Sequence, residues 1–133
     1  HLYANQALAM NSYRETIRGA ALRSLAEVGD DSAFNTIKSY LPYGKPRDLR
    51  VSSLRLLSRN WKEKDEVVDL TIGLINDPMM AMRRAAVDVL GTLHNKKAIE
   101  PLQQLAAKET DERLGKQIKD VIERLQKDEK TTK

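Results

Sequence analysis

One short pattern returns at nearly fixed distance along this chain, and it restricts the fold more than any other feature. The pair Ile17-Arg18 recurs as Leu49-Arg50 and again as Met82-Arg83, at spacings of 32 and 33 residues. Behind each pair runs the same apolar ladder: Ile17, Ala21, Leu22, Leu25; then Leu49, Ser53, Leu54, Leu57; then Met82, Ala86, Val87, Leu90. A weaker fourth copy follows with Leu114, Ile118 and Ile122. The offsets within each copy are those of one helix face. Repetition at this period marks a solenoid, whose single unit is too small to bury its own apolar face and gains a core only by stacking. The expected fold is all-α: an α-solenoid of stacked antiparallel helix pairs, with about seven main helices and a partial one at the N-terminal end.

Local signals set the boundaries. Ser12-Tyr13-Arg14-Glu15 has the form of a capping box, so a helix is expected over about 13–28, closed by Gly29 as a left-handed cap. Asp30 and Asp31 cap a second helix over about 32–41, with Ala33, Phe34, Ile37 and Leu41 on one face. Pro42-Tyr43-Gly44-Lys45-Pro46 breaks it. A third helix runs to about residue 60, and a fourth spans about 64–75, stopped by Asn76-Asp77-Pro78. The fifth spans about 79–93, and the sixth about 96–108, where Pro101 is tolerated only near the first turn. A seventh spans about 111–127. The repeats therefore read as about 12–46, 47–78, 79–110 and 111–127, with 1–11 as the remnant helix of a preceding repeat and 128–133 as a polar tail. Small residues recur at matching places, Ala20-Ala21, Ser52-Ser53 and Ala85-Ala86, where they allow close approach of successive helices.

The residues that carry most chemistry are scarce. There is no cysteine, which removes thiol catalysis and thiolate metal sites. The histidines are His1 and His94, too few and too isolated for a zinc site, and His94 reads as a turn residue at the end of the fifth helix. Acid pairs at Asp30/Asp31, Asp65/Glu66 and Asp111/Glu112 stand at helix starts, where they complement the helix dipole. Gly44-Lys45 lacks the rest of a phosphate loop. No catalytic residue, metal ligand or cofactor site is expected in this chain. No apolar run approaches the roughly 18 residues of a membrane span.

Two sets of residues remain as candidates. Arg18, Arg50 and Arg83 follow the ladder start in each repeat and are read as structural ties, with Asp30 as the acidic partner in the first full repeat. The second set comes from uneven charge. The formal net charge is +4, yet between Lys45 and Lys64 the cations Lys45, Arg47, Arg50, Arg55, Arg59, Lys62 and Lys64 face only Asp48 and Glu63. Such a patch attracts acidic partners. Tyr43, Lys45, Arg47, Arg55, Arg59, Trp61 and Lys62 are the candidate partner-binding residues, with core packing the favoured role for Trp61.

The period, the two-helix unit and the run Met82-Arg83-Arg84-Ala85-Ala86-Val87-Asp88-Val89-Leu90-Gly91-Thr92-Leu93, followed by Ala98-Ile99-Glu100-Pro101-Leu102, resemble HEAT repeats over roughly residues 12–125. A narrower resemblance rests on Ser12-Tyr13, Ile17 to Leu22, and Tyr43-Gly44-Lys45-Pro46 leading into Leu49-Arg50. These are similar to the C-terminal HEAT-like module of bacterial aminopeptidase-N-like zinc metallopeptidases. That resemblance implies an accessory module that packs on a catalytic domain of the same parent chain and shapes access to it. Zinc and the HExxH helix would belong to that upstream domain, because this chain contains no HExxH.

Three functions compete at this level: the aminopeptidase accessory module, a HEAT scaffold that binds a peptide or protein in another host, and nucleic-acid binding through the basic stretch. The last is disfavoured because Trp61 is the lone aromatic within that stretch. The compartment, cytoplasmic or exported, follows from the parent. Leu2, Leu8 and Met10 are expected to lack stacking neighbours, so self-association through the N-terminal end is a further expectation.

Overall fold

The computed structural model describes the backbone of residues 2–131 and the side chains of residues 13–127. Seven α-helices and one 3-10 turn are present among the described residues: α1 (Leu2–Val28), α2 (Asp31–Lys38), α3 (Arg47–Asn60), α4 (Asp65–Leu74), α5 (Met80–Leu93), the 3-10 turn Lys96–Ala98, α6 (Ile99–Lys108) and α7 (Glu112–Thr131). There is no strand among them, only an isolated bridge between Tyr43 and Lys45. The chain divides into two compact units, residues 1–61 and 62–133. Both are built from helix pairs of the α-solenoid type, as the period requires.

In the first unit α1 packs on α2 and α3, and α2 on α3. Gly29 takes φ 74°, and its amide bonds the Leu25 carbonyl at 3.1 Å, so the glycine closes α1 in the left-handed conformation its missing side chain permits. The Asp30 carboxylate then accepts the Ala33 amide at 2.8 Å and starts α2. Helix α2 buries Ala33, Phe34 and Ile37 on one face. Gly44, at φ 105°, turns the chain between Pro42 and Pro46, and α3 follows with Leu49, Leu54 and Leu57 buried. Trp61 ends α3 and lies edge-on to Phe34, with centroids 5.4 Å apart and ring planes at 69°. This is a favoured aromatic geometry.

Helix α1 departs from expectation. It runs unbroken from Leu2, so the capping box at Ser12 does not start it. The reason is local. No proline or glycine stands between Leu2 and Arg18, and Ala-rich sequence propagates a helix through a serine at small cost. The expected remnant at 1–11, including Leu2, Leu8 and Met10, and the tail at 128–133 have side chains outside the described residues.

In the second unit α4 packs on α5, α6 on α7, and α5 on α7. Met82, Ala86, Val87 and Leu90 of the ladder are buried on α5, and Leu114 and Ile118 on α7. His94 closes α5 at φ 52°, and Asn95 caps the 3-10 turn by accepting the Lys97 amide at 2.9 Å. Pro101 falls in the first turn of α6, where an amide is not needed. Lys97 reaches Asp69 of α4 at 2.9 Å; that hydrogen bond, and then the carboxylate's charge, raise the ammonium above its ordinary range.

Ladder positions that match in sequence differ in burial. Leu49 is 3% exposed and Met82 0%, but Ile17 is 49% exposed, and Ala20 and Ala21 are exposed with it. The ladder copy on α1 therefore faces solvent over its first turns, while Leu22 and Ala26, on the other side, enter the core.

Gly91 of α5 lies against α7 with no room to spare. A Cβ there would lie 3.0 Å from Arg124 Nη1 and 3.2 Å from Val121 Cγ2. Gly91→Val is expected to destabilise the chain by about 1–3 kcal/mol through overpacking. A lowered midpoint in urea denaturation checks it, and an unchanged midpoint would show that the contact yields freely.

Candidate interaction surface

The repeated arginines have three different environments. Arg50 is fully buried, and its Nε donates to the Leu41 carbonyl at 2.8 Å. Its guanidinium lies 5.6 Å from the Tyr43 ring centroid. Arg83 is half-buried; Nη1 donates to the carbonyls of Asp77 at 3.0 Å and Pro78 at 3.1 Å, and Nε to the Glu109 carboxylate at 3.2 Å. Arg18 is exposed.

The expectation that Asp30 holds the arginine gives way to a different arrangement. Asp30 is exposed and caps the N-terminus of α2. For Arg50 and Arg83 the acceptors include backbone carbonyls in the loop before the arginine's helix, and Arg83 adds the Glu109 carboxylate. In both loops one acceptor carbonyl belongs to the residue before a proline, Leu41-Pro42 and Asp77-Pro78. Proline disfavours helix at the residue before it, so the helix stops there and leaves carbonyls to be satisfied. The sequence signal that would have found the tie is thus an arginine downstream of an X-Pro step. Residues 1–17, before Arg18, contain no proline.

The basic stretch separates into parts with different roles. Arg50 belongs to the interior. Lys45, Arg47 and Arg59 are exposed and Arg55 is half-buried, so α3 presents Arg47, Arg55 and Arg59 from its outer side. Lys62, exposed, and Lys64, half-buried, belong to the second unit. Tyr43 is 68% exposed in the loop before α3. Lys45 Nζ lies 6.0 Å from the Tyr40 ring centroid, at the outer limit for a cation–π contact. Trp61 is not available to a partner: it is 9% exposed and packs on Phe34, as a core residue does.

Two clefts lie beside these features. One, of about 360 Å³ between α1 and α3, is lined by Glu15, Thr16, Gly19, Arg23, Asp48, Leu49 and Ser52. The other, of about 320 Å³ in the second unit, is lined by Asn76, Asp77, Pro78, Arg83, Leu105, Lys108, Glu109 and Thr110. Neither brings a histidine to a carboxylate. No group of three or more His, Cys, Asp or Glu among the described residues could hold a metal ion. No helix among them is long and apolar enough to cross a membrane.

The helix pairs, the buried ladder and the arginine ties agree with what comparison with known families finds. A family model of HEAT repeats matches residues 43–122, more than half of the chain. The chain belongs to the HEAT-repeat family. Comparison with curated proteins gives no match. The matched HEAT segment contains Tyr43, Arg47, Arg55 and Arg59 as well as the arginine ties at Arg50 and Arg83.

The carbonyl tie in this HEAT module separates two substitutions. Arg50→Ala leaves a cavity and an unpaired carbonyl, and is expected to cost about 2–4 kcal/mol. Asp30→Ala removes only a cap and is expected to cost about 1 kcal/mol. Chemical denaturation of both variants and of the double variant checks the difference; losses that fail to add in the double variant would mean that the two residues act as a pair.

Proposed function

We propose that this chain is a non-catalytic HEAT-repeat module that binds a protein partner through the loop and helix that carry Tyr43, Lys45, Arg47, Arg55 and Arg59. The observation that carries the reading is the exposed Tyr43 beside a helix whose outer side is cationic. An exposed aromatic supplies contact area at low entropic cost, and the flanking cations select acidic neighbours and speed encounter. Trp61 has no part in it, being occupied by the core.

The more specific form of this proposal makes the module the C-terminal accessory domain of a zinc metallo-aminopeptidase. There the partner is the upstream catalytic domain of the same parent chain, and the module packs on it and shapes the route of a peptide substrate. The resemblance of Ser12-Tyr13 and Tyr43-Gly44-Lys45-Pro46 to that module supports this form. Zinc chemistry would then belong to the partner domain, and the role of these residues is to hold and to shape.

The reading frame that contains this chain decides the specific form: an HExxH helix upstream is expected, and a frame without one overturns it while leaving the protein-binding reading in place. For the general form, Arg55→Glu combined with Arg59→Glu is expected to weaken association with the cognate domain about tenfold or more, chiefly through slower association at low salt, with helicity by circular dichroism unchanged. Unchanged affinity overturns the role of the α3 face. The isolated chain with added zinc is expected to give no turnover of an amino-acid anilide.

A further inference from the structure

Most helices here have one apolar side, but α1 has two. Leu22 and Ala26 are buried toward α2 and α3, whereas Tyr13, Ile17, Ala20, Ala21 and Val28 are exposed on the other side. Tyr13 is 68% and Val28 67% exposed. A helix apolar on opposite sides is ordinarily covered on both. The exposed side also has an electrostatic edge. Arg14 and Arg18 stand one turn apart, each next to a stripe residue, and both are exposed.

The interfaces already in the fold indicate what covers such a side. In the first unit α3 packs on α1, and the cleft between them brings Gly19 of α1 beside Leu49 and Ser52 of α3. In the second unit α7, with Leu114 and Ile118 buried, packs on α5. In each case buried ladder residues of one helix lie on a neighbouring helix, and on α1 the buried residues include the small Ala26. Ile17 and Ala20 are the matching positions on α1. The arginine after the ladder start follows the same rule: Arg83 holds two carbonyls and the Glu109 carboxylate. Arg18 has no X-Pro loop before it, because α1 is continuous there.

We propose that this side of α1 is the docking face for an amphipathic helix of a partner protein, with small apolar residues along its contact ridge and carboxylates along the edge that meets Arg14 and Arg18. The proposal rests on the reading of the chain as a protein-binding module. A second copy of this chain fits less well. In an antiparallel pair of α1 helices about a two-fold axis, the Arg14–Arg18 edges of both copies lie on the same side of the interface, and like charges so placed oppose pairing.

The test uses the whole chain, labelled with nitrogen-15, and two synthetic peptides of about sixteen residues, long enough to form helix. The peptides share an Ala/Leu docking face and carry glutamate or lysine on their flanks. The glutamate peptide is expected to perturb the amides between Tyr13 and Val28, and the lysine peptide to bind about tenfold more weakly. Ile17→Glu, at an exposed position, is expected to abolish binding with the helix content unchanged. Arg14→Glu with Arg18→Glu is expected to reverse the preference between peptides. Equal binding of both peptides, perturbation of another helix, or no binding overturns the proposal. A dimer in sedimentation that Ile17→Glu dissolves also overturns it, in favour of a second copy. If the peptides fail while the cognate domain still binds through Arg55 and Arg59, the docking face falls and the protein-binding reading stands.

Discussion

The fold depends on burial of an apolar ladder that a single helix pair cannot bury. Leu49, Leu54 and Leu57 on α3, and Leu114, Ile118 and Leu125 on α7, are almost fully covered; α3 packs on both α1 and α2, and α7 on both α5 and α6. Each such side chain contributes about 1.5–3 kcal/mol when buried, so losing the neighbour is costly even with every hydrogen bond intact. Other features adjust to that requirement. Ser53, Ala85 and Ala86 are small where helices must close up, and Gly91 has no room for a side chain. Ser53 keeps one buried hydroxyl without a hydrogen-bond partner, where Ala21 and Ala86 stand in the other repeats. Packing prevails over polar satisfaction at that site.

A second requirement is directional. Apolar burial sets how close the helices come, but the arginines fix each helix against the loop before it. Arg50 does so inside the core, with a carbonyl at 2.8 Å and its guanidinium over the Tyr43 ring, 5.6 Å from the centroid. Tyr43 thereby joins the interior to the surface: one side meets a buried cation while most of the ring meets solvent. Movement of the Pro42–Pro46 loop would disturb the Arg50 tie, so the proposed contact residue is held by the same interaction that holds α3.

Much of this was legible in the sequence where the controlling signal was local. Gly29, Asp30 and the Pro42–Pro46 break act within a few residues of themselves, and the helices they delimit lie where those residues place them. The period located the ladder because repetition averages over local noise. The start of α1 was not legible, because Ser12 and Glu15 can cap a helix but do not stop one already running through alanines. The fate of Trp61 hung on Phe34, a residue on another helix, which no local pattern contains. The arginine acceptors were hidden for a deeper reason. Carbonyls are the same in every residue, so no side-chain pattern marks the one that accepts.

That anonymity of the acceptor bears on how such an array diverges. A tie between two side chains binds two positions to a shared history, since a change in one strands the other. The arginines here ask mainly for a loop that halts a helix and turns a carbonyl toward them. Leu41-Pro42 and Asp77-Pro78 meet that demand with different residues before the proline. The residue that supplies such a carbonyl is thus free to change, whereas the Arg83–Glu109 pair still binds two side chains together.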